Sequence, residues 1–138
     1  MDMSDCIFCR IVNGEIPCRK IYEDSNCIAF LDISPQSKGH TLVIPKEHFE
    51  NIFDIDEETL CHISSVVRKL SLHIKEVLNP EGIKLVQNNG RKAGQTVFHL
   101  HFHIKPVYSD TKLVDDNIEV IDISNEEMDE LENRLSLL

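Results

Sequence analysis

An alternation of histidine and apolar residues places the strongest constraint on how this chain folds. It lies within residues 95–107 and reads His99, Leu100, His101, Phe102, His103 and Ile104. Successive side chains of a β-strand point to opposite faces, so a period of two predicts a strand with three imidazoles on one face. Neighbouring imidazoles on such a strand start about 6.5 Å apart, close enough to form one site. Lys105 and Pro106 end the predicted strand, and no role is assigned to Lys105.

Other patterns in the chain predict an α+β domain. Four further apolar stretches bounded by turn residues are predicted strands: 19–23, 27–31, 40–45 and 83–86. Apolar residues spaced three and four apart predict one long helix from about 56 to 78, capped by Asp54 or Asp56. We therefore expect an antiparallel sheet of about five strands, packed on one face by this helix.

Acidic residues are concentrated at the C-terminal end. The 138-residue chain has a net charge of −10, and residues 110–138 hold ten acidic side chains against two basic ones. Ser124 and Glu127 match a capping box, and the apolar spacing that follows predicts an amphipathic helix. We therefore divide the chain into a domain at residues 1–108 and an acidic extension at residues 109–138 that ends in this helix.

Composition argues against several classes of protein. No apolar run approaches the roughly 20 residues needed to span a bilayer, and the acidic start lacks the apolar region of a signal peptide. There is no basic run and no tryptophan to mark a nucleic-acid groove. We expect a cytoplasmic protein that binds neither membrane nor nucleic acid. In a reducing compartment its five cysteines are expected to be thiols or metal ligands.

Two groups of residues carry candidate chemistry, and the residues alone leave both open. The three histidines could form a surface strand, a metal site or a nucleophilic centre, because neutral imidazole attacks electrophiles near neutral pH. Cys6 and Cys9 have C-x-x-C spacing. They could be a redox pair, two buried thiols or half of a zinc site that needs two more ligands.

The histidine stretch resembles the signature of the histidine triad (HIT) superfamily of nucleotide hydrolases and transferases, in which three histidines alternate with hydrophobic residues. Other blocks resemble the family in the same order: 6–9, 14–17, 29–36, 39–46 and 93–97. The resemblance covers residues 5–108. It implies the HIT fold and a homodimer, to which this chain adds a C-terminal helix.

The resemblance also implies a chemistry. In the family, the middle histidine attacks the α-phosphorus of a nucleoside 5′-phosphoryl substrate, and water then releases the nucleoside monophosphate. Here that residue is His101, flanked by His99 and His103, with His40 beside the phosphate and no catalytic metal required. Residues implied around a purine nucleotide are Phe30, Leu31, Asp32, Ile33, Asn88, Gln95, Thr96, Val97, His101 and His103. Val97 also shares the apolar packing of the strand.

The Asp-Ile-Ser-Pro-Gln run from Asp32 and the amide of Asn88 look like the Hint branch, which hydrolyses nucleoside phosphoramidates. The alternatives are a dinucleoside polyphosphate hydrolase of the fragile-histidine branch and a non-catalytic nucleotide-binding or scaffold protein. Several bacterial members bind structural zinc through a cysteine pair and two histidines. The corresponding positions are Cys6, Cys9, His48 and His99.

Overall fold

The computed structural model describes residues 5–111 and 120–138. Its strands are β1 Lys20–Glu23, β2 Cys27–Leu31, β3 Thr41–Pro45, β4 Gly82–Val86 and β5 Phe102–Val107. Its helices are α1 Ile7–Val12, α2 Glu57–Leu78 and α3 Asn125–Leu135. The strands form one antiparallel sheet of order β1-β2-β3-β5-β4. This confirms the predicted fold class, while residues 112–119 of the predicted extension lie outside the described residues.

Helix α2 covers one face of the sheet. Of the two predicted caps, Asp56 is the one used: its side chain accepts the Thr59 N–H at 3.0 Å. The helix ends at Asn79, which adopts a left-handed conformation with φ of 50°. Its buried residues follow the predicted spacing and are Ile63, Val66, Val67, Leu70 and Ile74. They pack in one core with residues of the sheet, so this face is closed to solvent.

A second, smaller core lies on the other face of the sheet, beneath α1. Its buried members are Cys6, Phe8, Cys9, Ile28, Phe30, Leu42 and Ile44. A helix of six residues is too short to be stable alone in water. Packing on the sheet therefore holds α1 in place, and it brings the C-x-x-C pair to the face that carries the histidines.

The histidine strand begins later than expected, at Phe102, and it runs through Lys105 and Pro106 to Val107. The N–H of Leu100 donates to the carbonyl of Phe49 at 2.7 Å rather than to a neighbouring strand. The predicted alternation of faces nevertheless holds. Leu100 and Ile104 are fully buried in the α2 core, and the imidazole of His99 contacts the cysteines on the opposite face.

Helix α3 packs on the same core as α2. Its buried residues are Met128, Leu131 and Leu135. Ser124 caps the helix by accepting the N–H of Glu127 at 3.1 Å, as predicted. The Glu127 carboxylate instead forms an ion pair with Lys38 at 2.7 Å, so α3 is tied to the loop between β2 and β3. No helix among the described residues is long and apolar enough to cross a membrane.

Candidate active site and metal centre

His40, His101 and His103 meet on the face of the sheet that α1 covers. His40 immediately precedes β3 and His103 lies in the neighbouring strand β5, so Nε2 of His40 lies 2.9 Å from Nδ1 of His103. The ring centroids of His101 and His103 are 4.9 Å apart. His40 and His101 are buried, at 3% and 8% exposure. Two adjacent strands thus place three imidazoles in one site.

A chain of hydrogen bonds fixes the proton positions of His40 and His103. The backbone N–H of Gln36 donates to Nδ1 of His40 at 3.1 Å, so the proton of His40 lies on Nε2. That Nε2–H donates to Nδ1 of His103, whose own proton must then lie on Nε2. These two hydrogen bonds therefore leave the Nε2–H of His103 available to donate to a ligand. The orientation of both rings depends on the backbone of the β2–β3 loop, which contains Gln36.

His101 has the opposite arrangement of protons. Its Nδ1 lies 2.8 Å from the carbonyl oxygen of His99, which can only accept, so Nδ1 carries the proton. Nε2 of His101 is left with a lone pair and is the nucleophilic or basic atom of the ring. Phe8 packs edge-on against this ring with centroids 5.1 Å apart, which fixes its plane.

Burial keeps these imidazoles neutral. Burial, together with neighbouring charged groups, lowers the pKa of His40 and of His103 to about 3. Burial also lowers the pKa of His101 below its usual value. Near neutral pH all three rings are therefore in the uncharged form that the assigned proton positions require.

Asp32 borders the histidines at the end of β2. Its Oδ1 accepts the N–H of Ser34 at 2.8 Å, and its Oδ2 lies 3.5 Å from Nε2 of His40. Burial raises the pKa of this carboxyl. Asp32 can form the turn with Ser34 and also lie beside His40, because a different carboxylate oxygen serves each contact. Oδ2 faces the histidines while Oδ1 shapes the loop.

Three of the apolar residues predicted near the nucleotide lie at or just after the end of β2, and they have different surroundings. Phe30 is buried on the histidine side, edge-on to Phe8 with centroids 5.7 Å apart. Ile33 is 84% exposed and offers an apolar surface next to Asp32. Leu31 is buried in the α2 core on the other face. Its side chain supports the sheet rather than lining the site, because adjacent strand residues point in opposite directions.

The loop that leads from β4 to β5 is shaped by Gln95. The amide of this buried side chain accepts the Gly90 N–H at 2.8 Å and donates to the carbonyls of Glu50 at 2.6 Å and Val97 at 3.1 Å. These bonds commit the Gln95 side chain to holding the loop. Thr96 is exposed at its surface, and Val97 packs against the core beneath α1.

Asn88 lies at the start of the same loop, half-buried beneath Gly94. Gly94 has φ of +100°, and a Cβ there would come within 3.2 Å of the Asn88 side-chain nitrogen. Glycine therefore allows the loop to close over Asn88 with a backbone conformation that other residues rarely adopt.

The four predicted zinc ligands converge at the N-terminus of α1. Sγ of Cys6 is 3.4 Å from Nδ1 of His99, and Sγ of Cys9 is 3.3 Å from Nδ1 of His48 and 3.5 Å from that of His99. The four donor atoms all lie within 4.8 Å of one another. Tetrahedral zinc with ordinary bond lengths separates sulfur from nitrogen by about 3.6 Å. The donor set and its spacing therefore fit a zinc ion.

The orientation of His99 also suits a metal ligand. Its Nε2 lies 2.8 Å from the carbonyl oxygen of Pro45, so Nε2 carries the proton and Nδ1 presents its lone pair to the cysteines. Metal-bound histidines commonly donate their second N–H to a carbonyl or carboxylate in this way. His99 is thus distinct from His101 and His103, although the three share one alternating pattern.

Sequence reasoning did not identify the roles of Phe8 and Gln36. Phe8 lies between the two cysteines and packs edge-on against both His99 and His101. The position of an apolar residue between the two cysteines could have indicated this contact. Gln36 acts through its backbone N–H, so the identity of its side chain carries no signal.

Comparison with known proteins shows the family to which the chain belongs. A model of the HIT domain family matches residues 13–110. A HIT-like protein of Methanocaldococcus jannaschii is 50% identical over 103 residues, which are 75% of this chain and 79% of that protein. An adenosine 5′-monophosphoramidase of Schizosaccharomyces pombe is 48% identical over 101 residues, 73% of each chain. The crystal structure of a zinc-bound histidine triad family protein from Mycobacterium smegmatis matches with a TM-score of 0.83 and 36% identity, covering 96% of this chain and 94% of that one. The chain belongs to the HIT family.

Proposed function

We propose that this protein hydrolyses the P–N bond of purine nucleoside 5′-phosphoramidates through a nucleotidyl intermediate on His101. The observation that carries the proposal is a pair of hydrogen bonds: Nδ1 of His101 faces the carbonyl of His99, and Nδ1 of His103 faces Nε2 of His40. From these bonds we infer that Nε2 of His101 has a lone pair and that Nε2 of His103 has a proton. The first atom can attack phosphorus while the second donates to a phosphoryl oxygen. The phosphoramidase name of the Schizosaccharomyces pombe relative supports the reaction class.

The proposed reaction has two displacements. In the first, Nε2 of His101 bonds to the α-phosphorus as the P–N bond breaks, and the amine leaves after taking a proton from the histidine centre or from the hydroxyl of Thr96. In the second, water attacks phosphorus and gives a proton back to the group that protonated the amine, while the bond to His101 breaks and nucleoside monophosphate is released. His103, backed by His40, donates to the charged phosphoryl oxygens in both steps. The mechanism requires no catalytic metal.

The nucleoside in this proposal lies along the end of β2. Oδ2 of Asp32 accepts hydrogen bonds from the ribose hydroxyls, because a carboxylate can accept from two donors at once. Phe30 and the exposed Ile33 contact the base. Asn88 and Thr96 border the phosphate on the side of the β4–β5 loop, which Gln95 and Val97 hold in shape.

We also propose that Cys6, Cys9, His48 and His99 hold a structural zinc ion. Four protein ligands fill a tetrahedral site and leave no open position for a substrate, as is typical of structural rather than catalytic zinc. The zinc-bound relative from Mycobacterium smegmatis supports the identity of the metal. His99 in this proposal anchors the chain before β5 to α1 and takes no part in proton transfer.

The proposed assembly is a homodimer in the cytoplasm. Strand β4 is at the edge of the sheet, and Leu85 on it is 52% exposed. Leu72 on α2 is 54% exposed. Exposed apolar groups on an edge strand and a helix favour contact with a second copy of the chain, because an open edge offers unpaired backbone groups.

Intact-mass spectrometry after rapid quenching tests the reaction. Wild-type protein mixed with adenosine 5′-phosphoramidate is expected to gain the mass of one adenylyl group, and His101→Ala is expected to gain none. His73→Ala, on α2 and bonded to the carbonyl of Leu135, is the matched control and should behave as wild type. Faster turnover of diadenosine triphosphate than of the phosphoramidate would favour a polyphosphate hydrolase. Absence of both adduct and turnover would leave a binding or scaffold protein.

A further inference from the structure

Lys105 continues the line of histidines towards the end of β5. It lies two residues after His103, so its side chain leaves the sheet on the same face. Ile104 is fully buried in the α2 core on the opposite face, which confirms the alternation at this point. Lys105 is only 8% exposed, and a lysine is almost never so buried unless other groups compensate its charge.

Strand pairing places Lys105 beside the candidate active site. Thr41 pairs with Ile104, so His40 and Lys105 are neighbours one residue beyond that pair. The N–H of Asp32 donates to the carbonyl of His40 at 2.9 Å, so Asp32 is the neighbour of His40 on the side away from Lys105. Three chemically active residues from β5, the start of β3 and the end of β2 therefore lie side by side.

The electrostatic effects of Lys105 agree with this placement. Burial raises the pKa of Asp32, and the positive charge of Lys105 opposes that rise. Burial lowers the pKa of His40 and of His103, and Lys105 lowers both further. The lysine thus favours the ionised carboxylate and the neutral imidazoles, which are the forms that the proposed chemistry uses.

The charges of Asp32 and of a bound phosphate suggest a role for the positive charge of Lys105. With the histidines neutral, Asp32 is the carboxylate that the described residues place beside them, and a nucleotide phosphate brings further negative charge into the same buried region. We propose that Lys105 is a charge-compensating residue of the nucleotide site, which offsets Asp32 so that a nucleoside 5′-monophosphate can bind beside it. This inference rests on the proposed function, because it takes the phosphate to lie at His101 and His103.

Calorimetric titration with adenosine 5′-monophosphate and with adenosine tests the proposal. Lys105→Met is expected to weaken binding of the monophosphate on the order of tenfold and to affect binding of the nucleoside much less, because only the phosphate adds charge. Lys105→Arg should retain most of the affinity. Lys69→Met removes the same charge from the exposed side of α2, on the other face of the sheet, and should match wild type for both ligands.

Three other results of the titrations would overturn the proposal. Equal weakening of both ligands by Lys105→Met, or the same loss in Lys105→Arg, would show a packing role and overturn the proposal. Unchanged affinity for the monophosphate in Lys105→Met would overturn it while leaving the proposed function intact. Failure of the wild-type protein to bind the monophosphate would overturn both, and this result is separate from any effect of the lysine.

Discussion

Replacing Gly39 with alanine tests how the chain is shaped immediately before His40. Gly39 has φ of +89°, and a Cβ there would lie 2.7 Å from Cδ1 of Leu78 and 3.4 Å from Cγ of Pro106. The left-handed conformation costs alanine about 1–2 kcal/mol. Overpacking adds about 1–3 kcal/mol, towards the lower end because Leu78 is in contact through the flexible end of its side chain. We expect Gly39→Ala to lower the free energy of unfolding by about 2–4 kcal/mol.

Gly14→Ala separates the two contributions. Gly14 has φ of +78°, but a Cβ there would meet no atom within 4 Å, so only the backbone cost of about 1–2 kcal/mol applies. Urea unfolding followed by circular dichroism measures both variants, and their difference gives the packing cost at Gly39. Equal losses would refute the reasoning, because they would show that Leu78 moves aside without cost. Displacement of His40 should also reduce nucleotide turnover in Gly39→Ala and not in Gly14→Ala.

Three further predictions concern the metal centre, the C-terminal helix and the buried histidines. Cys9→Ser is expected to lose bound zinc and to melt at a lower temperature; metal analysis and thermal unfolding check this, and a zinc-free wild-type sample of undiminished stability would contradict it. Leu135→Ala should cost about 2–4 kcal/mol in urea unfolding because Leu135 is fully buried, whereas Leu138→Ala, at 71% exposure, should cost almost nothing; similar losses would mean that α3 does not pack as described. His40→Gln should reduce the dependence of the free energy of unfolding on pH below about 6.5. The pKa of His40 is about 3 in the folded protein against an ordinary 6.5, so between these values the unfolded chain binds the extra proton and stability falls as the pH falls. Urea midpoints measured across this range check the difference in slope, and identical slopes would exclude the effect.

The sequence predicts those features that follow from a repeating pattern. The three-and-four spacing of apolar residues predicts α2, and the structure buries four residues with this spacing: Ile63, Val67, Leu70 and Ile74. The alternation around His101 predicts imidazoles on one face and apolar side chains on the other; Leu100 and Ile104 lie in the α2 core, whereas His99 and His101 contact Phe8 of α1. Both patterns arise from burial on one side of a regular element, so they can be recognised without knowing the partner.

Features that depend on single hydrogen bonds could not be predicted from the sequence. Strand β5 begins at Phe102 because Leu100 donates to Phe49, a contact across 51 positions that no local pattern indicates. The proton positions of the histidines depend on the backbone N–H of Gln36 and the carbonyl of His99. Backbone groups are the same in every residue, so their use leaves no mark in the amino-acid sequence.

The contact between Cys6 and His99 has a consequence for the order in which the protein is assembled during synthesis. The two residues are 93 positions apart, so the N-terminal segment leaves the ribosome long before its partner exists. Helix α1 is too short to persist alone, and the surface that holds it includes His99 and His101. Cys6 and Cys9 are therefore made well before the residues that hold them in place. A nascent chain that stops before residue 99 lacks the nucleophile as well as the partner of its cysteines, so it cannot form a partly active site.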